Sequence, residues 1–260
     1  MYVDEIGNGD RTVIAVHGWA GTHRDFAAIA KRMPPGFRFL SVDLPGCGES
    51  PAPAEWTLEA ILKPVEELIR TVGDPSTVLI GFCSGAAIAL MQVPRNPELI
   101  GRVVMVDPLV FLPWYFALFT WGAFGRRAYQ ATFASPIGRR ITNAALQRRQ
   151  TAEADFTAAF AGADHTATQN YLRVFASTRT EDWLRPVGKP VYICFGERTF
   201  GAVRRSVAEL RAVIPHARIH ELPGSGHLPL IRSARQIAAV IAADEPLVGL
   251  TRDAITCPQR

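Results

Sequence analysis

A chain of 260 residues, 48% hydrophobic and 20% charged, has enough apolar material for one large core and is not composed like a disordered polymer. The net charge of +4 sits on arginines scattered in pairs rather than in one basic run, which argues against a nucleic-acid binder. Four cysteines (Cys47, Cys83, Cys194 and Cys257) form no C-x-x-C pair and no histidine stands at metal-ligand spacing, so neither a disulfide framework, a metal site nor a cofactor is expected.

In chain order, "MYVDEIGNGD" has no basic start and no apolar stretch, so no secretory signal is read there and the expected setting is cytoplasmic and reducing. "TVIAVHG" (Thr12–Gly18) reads as a strand followed by a helix around Asp25–Met33. "FRFLSVDLPG" (Phe37–Gly46) is the next strand, with a helix near Leu58–Val72. "VLIGFCSGAA" reads as a strand into Gly81, a tight glycine turn, and a helix from about Ser84. "RVVMVDP" (Arg102–Pro108) is a further strand. Residues 109–185 have helical spacing and no strand signal. "PVYICFGE" (Pro190–Glu197) and "ARIHELPG" (Ala217–Gly224) resume the strands, with helices at Ala202–Val213 and Ala234–Ala243. Short apolar strands separated by helices predict an α/β fold with a mostly parallel sheet covered on both faces. The expected division is a core of 1–108 and 186–245, a helical cap of 109–185 and a tail of 246–260.

"PLVFLPWYFALFTWGAFG" (Pro108–Gly125) has no charge over 18 residues, the lower edge of membrane-spanning length. Pro113 interrupts it and its aromatics lie mid-segment, so a buried, pocket-lining cap segment is the preferred reading; peripheral membrane contact stays open.

The chemistry concentrates at three strand-end loops: His17-Gly18-Trp19, Gly81-Phe82-Cys83-Ser84-Gly85, and Gly224-Ser225-Gly226-His227. A turn with small residues on both sides lifts one side chain, here Cys83, and aims the next backbone N–H at the same point. A helix N-terminus and a nearby imidazole would both favour thiolate.

With "DLPGCGES" (Asp43–Ser50), these loops resemble the α/β-hydrolase superfamily over about residues 2–245, with cysteine where the G-x-S-x-G elbow has serine. The resemblance implies Cys83 as nucleophile, His227 as general base, and the backbone N–H groups of Ser84 and Trp19 as oxyanion donors. It implies a supporting role for His17; His23, His165, His216 and His220 receive none. The sequence departs from the family at the acid. The usual G-x-x-D position reads Gly196-Glu197-Arg198-Thr199, so threonine stands where aspartate is expected. Asp107, at the end of the strand after the nucleophile, is an alternative used in some branches; Glu197 or no charged acid are the others. A thiol, with an unperturbed pKa near 8.5, needs less help than a hydroxyl.

A thiol attacking an acyl carbon gives an enzyme thioester, which is nearly balanced in energy from another thioester. The elbow therefore suits thioesters or activated esters and lactones. Phe82, Phe111, Trp114, Phe116 and Trp121 are the expected lining of a pocket for a hydrophobic acyl substrate. Arg126-Arg127, Arg139-Arg140 and Arg148-Arg149 could meet an acyl-carrier protein or a coenzyme A phosphate, or form a solvated helix face. Rival readings are a lyase or cyclase using the same pocket, and a hydrolase-like binding protein without catalysis.

Overall fold

A computed structural model describes residues 1–147 and 157–243 of the chain. Arg148-Arg149, Cys257 and residues 246–260 lie outside the described residues.

Seven strands form one sheet: β1 (Val3–Ile6), β2 (Arg11–Val16), β3 (Phe37–Val42), β4 (Val78–Phe82), β5 (Arg102–Val106), β6 (Val191–Gly196) and β7 (Arg218–Leu222), in the order β1-β3-β2-β4-β5-β6-β7. Only β1 runs antiparallel, pairing Val3 with Val42 and Ile6 with Phe39. The rest pair in parallel, which requires crossover connections and therefore helices on both faces. Both faces are covered: along β2, Ile14 and Val16 enter one apolar cluster while Val13 and Ala15 enter the other. This period of two within a continuous apolar run is what a doubly covered strand requires.

Among the described residues, the helices of eight or more residues are α1 (Leu58–Val72), α2 (Ser84–Gln92), α3 (Gly122–Tyr129), α4 (Pro136–Gln147), α5 (His165–Ser177), α6 (Gly201–Val213) and α7 (Ala234–Ala242). The Thr57 side chain caps α1 by accepting from the Ala60 N–H, and Ile61, Leu62, Val65 and Ile69 form its buried stripe.

The connection between β5 and β6 carries only helices and turns among the described residues. Pro113 and Gly122, with φ at 48°, break the uncharged run into the short helix Trp114–Ala117, a 3₁₀ turn Leu118–Thr120 and α3. No helix among the described residues is long and apolar enough to cross a membrane. The insert is tied down by α5, whose Tyr171 hydroxyl donates to the Pro45 carbonyl at 3.0 Å and stacks edge-on against Trp56. Trp19 supplies the second tie. Its indole N–H donates to the Thr168 carbonyl at 2.8 Å, and its ring meets Phe116, Phe133 and Phe160 edge-on at 5.3, 5.3 and 4.8 Å.

Candidate active site

Cys83 stands between β4 and α2 with φ at 52° and ψ at −121°. That is a strained setting for a residue with a β-carbon. The turn is held by the Cys83 N–H donating to the Val106 carbonyl and by the Cys83 carbonyl accepting from Ala86 and Leu109. Its tightness explains the flanking glycines. A β-carbon on Gly81 would lie 2.4 Å from the Gly85 carbonyl oxygen, and one on Gly85 would lie 2.2 Å from that of His17. A β-carbon on Gly18 would come within 2.8 Å of the Cys83 β-carbon, so the His17-Gly18-Trp19 loop backs directly onto the elbow.

His227 follows β7 and its Nδ1 lies 2.9 Å from Asp107 Oδ2. Asp107 follows β5, is fully buried and has φ at 42°, a left-handed conformation that aspartate tolerates better than most residues. Two further donors hold its carboxylate: the Gly196 N–H on Oδ1 at 2.8 Å and the Thr199 hydroxyl on Oδ2 at 2.7 Å. Thr199 itself lies 3.5 Å from His227 Nδ1. Threonine at the G-x-x-D position thus serves as a donor to the carboxylate brought from the neighbouring strand. Glu197 is exposed and accepts from the Gly224 N–H at 2.8 Å, which anchors the loop that carries His227.

The electrostatics at His227 follow from these contacts. Burial alone would disfavour a charged ring, but the hydrogen bonds to Asp107 and Cys83 outweigh it and push the ring up to about 10. Phe82 and Phe200 flank the imidazole at 5.6 and 4.8 Å. Phe200 was not singled out in the sequence; its position one residue after Thr199 was the available signal.

Among the described cysteines only Cys83 has appreciable exposure. Cys47 and Cys194 are buried, and burial, with help from Asp43 and Asp107 respectively, pushes each thiol up to about 12. Both read as inert core thiols.

Ser84 is buried at the first position of α2, where a helix N–H has no intrahelical acceptor. His17 is buried, and its Nε2 accepts from the Leu44 N–H at 3.0 Å, so Nδ1 carries the proton and donates to the Gly18 carbonyl at 2.8 Å. Burial lowers its pKa to about 4, as befits a neutral ring holding its own loop. His23, given no role in the sequence, lies 2.8 Å from Asp43 Oδ2 through Nδ1. It fixes the Asp43–Ser50 loop.

The five aromatics expected to line a pocket are dispersed. Phe82 touches His227 and Phe116 packs on Trp19. Phe111 and Trp114 line an open groove of about 460 Å³ together with Leu112, Tyr115, Ala202 and Arg205. Trp114 is nevertheless 77% exposed and Trp121 61% exposed. These two tryptophans point outward because the segment is three short pieces rather than one helix with a single inward face.

Comparison with known proteins agrees with this architecture. The profile described as "Alpha/beta hydrolase family" matches residues 13–240. The chain is 25% identical over 250 residues to a pimeloyl-[acyl-carrier protein] methyl ester esterase of Xanthomonas campestris, covering 93% of this chain and 97% of that protein. It is 36% identical over 98 residues to the AB hydrolase superfamily protein YisY of Bacillus subtilis, covering 37% of this chain. Over 137 residues, 52% of this chain, it is 28% identical to lipase LipV of Mycobacterium tuberculosis. These two matches span 36% and 49% of the relatives' own lengths. An esterase of Exiguobacterium antarcticum superposes with a TM-score of 0.73 at 18% identity, over 92% of this chain and 93% of that one, a likeness of fold. With the profile matched from the second strand to the last helix, the chain belongs to the alpha/beta hydrolase family.

Proposed function

We propose that this protein is a hydrolase or acyltransferase that acts on a hydrophobic acyl ester or thioester through a covalent acyl-enzyme on Cys83. The observation that carries the reading is the elbow itself: a cysteine held at positive φ between two obligatory glycines, beside an imidazole that is hydrogen-bonded to a buried carboxylate. The esterase and lipase relatives support hydrolase activity.

In this reading the proton of Cys83 already rests on His227, whose ring Asp107 keeps basic, and the sulfur bonds to the acyl carbon as thiolate. The oxyanion is met by the N–H groups of Ser84 and Trp19. His227 then returns the proton to the departing alcohol or thiol, leaving the acyl group on sulfur. Water or another acceptor attacks the thioester, giving its proton to the ring, and the acyl product leaves as Cys83 returns to thiolate. The groove beside Phe111 and Trp114 receives the acyl chain. The carrier-linked ester in the Xanthomonas protein's name makes an acyl-carrier or coenzyme A thioester a natural class to test.

The test is intact mass after incubation with activated esters and thioesters. An acyl adduct that appears on the native chain and vanishes with Cys83→Ala is expected. An adduct that persists in Cys83→Ala overturns the assignment. No adduct with any acyl donor, alongside tight binding of an apolar ligand, would mark the protein as a binder.

A further inference from the structure

We infer that the outer face of the β5–β6 insert docks onto an anionic lipid bilayer. Six of the most exposed large apolar side chains lie in this one segment: Trp114 at 77%, Ile137 at 71%, Phe124 and Ile141 at 66%, Trp121 at 61% and Tyr115 at 46%. Soluble monomers seldom leave so many large apolar groups on one short segment uncovered. They sit on joined elements. Trp121 and Phe124 are three residues apart at the start of α3. Ile137 and Ile141 are one turn apart on α4, which presses against the turn after α3 so closely that a β-carbon on Gly138 would lie 1.7 Å from the Ala131 carbonyl oxygen.

The charge of the same segment selects the occupant. Residues 108–147 hold four arginines and no aspartate or glutamate, so this stretch has the formal charge of the whole chain, +4. Arg126, Arg127 and Arg140 are exposed, and none pairs with a carboxylate among the described residues. Arg139 instead caps the Phe133 and Ala134 carbonyls. On α4, Arg140 is one turn from Ile137 and adjacent to Ile141, so it borders the face that the two isoleucines share. Any surface that covers the isoleucines must therefore also accept a cation. With four arginines and no carboxylate in the stretch, the occupant must combine an apolar layer with negative charge. A bilayer offers acyl tails for the tryptophans, phenylalanine and isoleucines, and phosphates at the level of the guanidinium groups.

Docking stands apart from the chemistry at Cys83. Its benefit rests on the acyl-enzyme reading: Trp114 lines the groove, and the groove's Gly201 follows Phe200, which packs on the His227 ring. An acyl chain leaving the membrane would thus enter beside the imidazole.

The experiment uses the full chain and extruded vesicles of phosphatidylcholine alone or with 30% phosphatidylglycerol. Co-sedimentation is expected with the anionic vesicles at low salt, and weakly or not at all with phosphatidylcholine alone or at 0.5 M salt. Brominated lipid should quench tryptophan emission in the native chain, a measurement that needs no variant. The triple variant Arg126→Gln, Arg127→Gln, Arg140→Gln should bind about 100-fold more weakly. The pair Phe124→Ser, Ile141→Ser should lose at least tenfold, with thermal unfolding unchanged. Equal binding to neutral and anionic vesicles, no tryptophan quenching, or variants that bind as the native chain does would overturn the inference. So would concentration-dependent dimerisation abolished by the serine pair, or capture of an acidic carrier protein with no vesicle binding. Loss of acyl adduct with vesicle binding intact would defeat only the reading of Cys83.

Discussion

Removing one hydroxyl tests the charge network of the site. Thr199 is buried and its Oγ donates to the fully buried Asp107 at 2.7 Å. Thr199→Val keeps the side-chain shape, so the loss is the hydrogen bond rather than a cavity. A bond to a buried carboxylate contributes about 1.5–3 kcal/mol, and the carboxylate keeps two other donors, Gly196 and His227. A loss near 2 kcal/mol is expected at pH 8, which for a chain of this size lowers Tm by about 4–8 °C. Acylation should slow by less than about tenfold, because Asp107 still faces His227. Asp107→Asn keeps the shape and removes the charge. It should slow acylation by about 10²–10⁴-fold, since the imidazolium loses its counter-charge. The double variant completes the cycle. Thr199→Val should cost about 1 kcal/mol less in the D107N background, because a neutral amide accepts a weaker bond than a carboxylate. Thermal unfolding and acyl-adduct rates of the four proteins decide it. Strictly additive stabilities, together with unimpaired acylation in Asp107→Asn, would refute the account of Asp107 as the charged partner of His227.

His227 has a ring pKa raised to about 10 by Asp107 and Cys83 against burial, so its contribution is fully present below pH 6.5 and is lost as pH rises through 10. Denaturant unfolding from pH 7 to 11 should show an alkaline decline that His227→Gln flattens; superimposable limbs would contradict this. Burial, aided by the Asp43 charge, raises Asp25 from 3.8 to about 6, so its carboxylate weighs against folding above that pH. Asp25→Asn should stabilise by about 1–2 kcal/mol at pH 8 and by nothing at pH 4, read from unfolding midpoints at the two pH values. Gly85→Ala would set a β-carbon 2.2 Å from the His17 carbonyl and 2.4 Å from that of Val16, so a loss of about 3 kcal/mol or outright failure to fold is expected. Gly201→Ala, which meets open space at the start of α6, should stay within about 0.5 kcal/mol in the same unfolding assay.

Six of the seven strands were legible: β2 to β6 are short, mostly apolar runs closed by a turn signal, and β7 ("RIHEL") is marked by the Pro223-Gly224 turn that follows it. β1 was not: "VDEI" carries two carboxylates, sits at the sheet edge, and owes its strand state to antiparallel pairing with β3. Helix α1 could be bounded because Thr57 and Gly73 punctuate a clear stripe. The insert could be read as helical, but its expected pocket-lining orientation was not fixed by the sequence, since an all-apolar run has no polar face to set it, and Trp114 and Trp121 are exposed. In the site, the elbow and the histidine loop are local patterns and were visible as such. The donor set on Asp107 was not, because Thr199 lies 92 residues away in sequence and reaches Asp107 only through the register of β5 against β6.

That register also explains how strain is stored where the chemistry is expected. Among the described residues, the non-glycine positions with positive φ are Ala20, Cys83 and Asp107, just beyond the ends of β2, β4 and β5, three consecutive neighbours in the sheet. Such conformations cost on the order of 1–3 kcal/mol each and persist only when surroundings impose them. Here the imposing bonds run strand to strand. The Cys83 N–H donates to Val106, the residue before Asp107, and the Asp107 N–H donates to Cys194 on β6. Cys83 and Asp107 are therefore each pinned by the next strand along, so the elbow cannot relax unless the β4–β5 edge opens. A substitution that loosened β5, such as Val104→Ala in its fully buried middle, should thus disturb the Cys83 elbow without touching it. Its stability loss of about 2–3 kcal/mol should be accompanied by slower acylation even at temperatures where the protein remains folded. Unchanged acylation in that variant would mean that the elbow is held locally by its glycines, and that the sheet contributes only the scaffold.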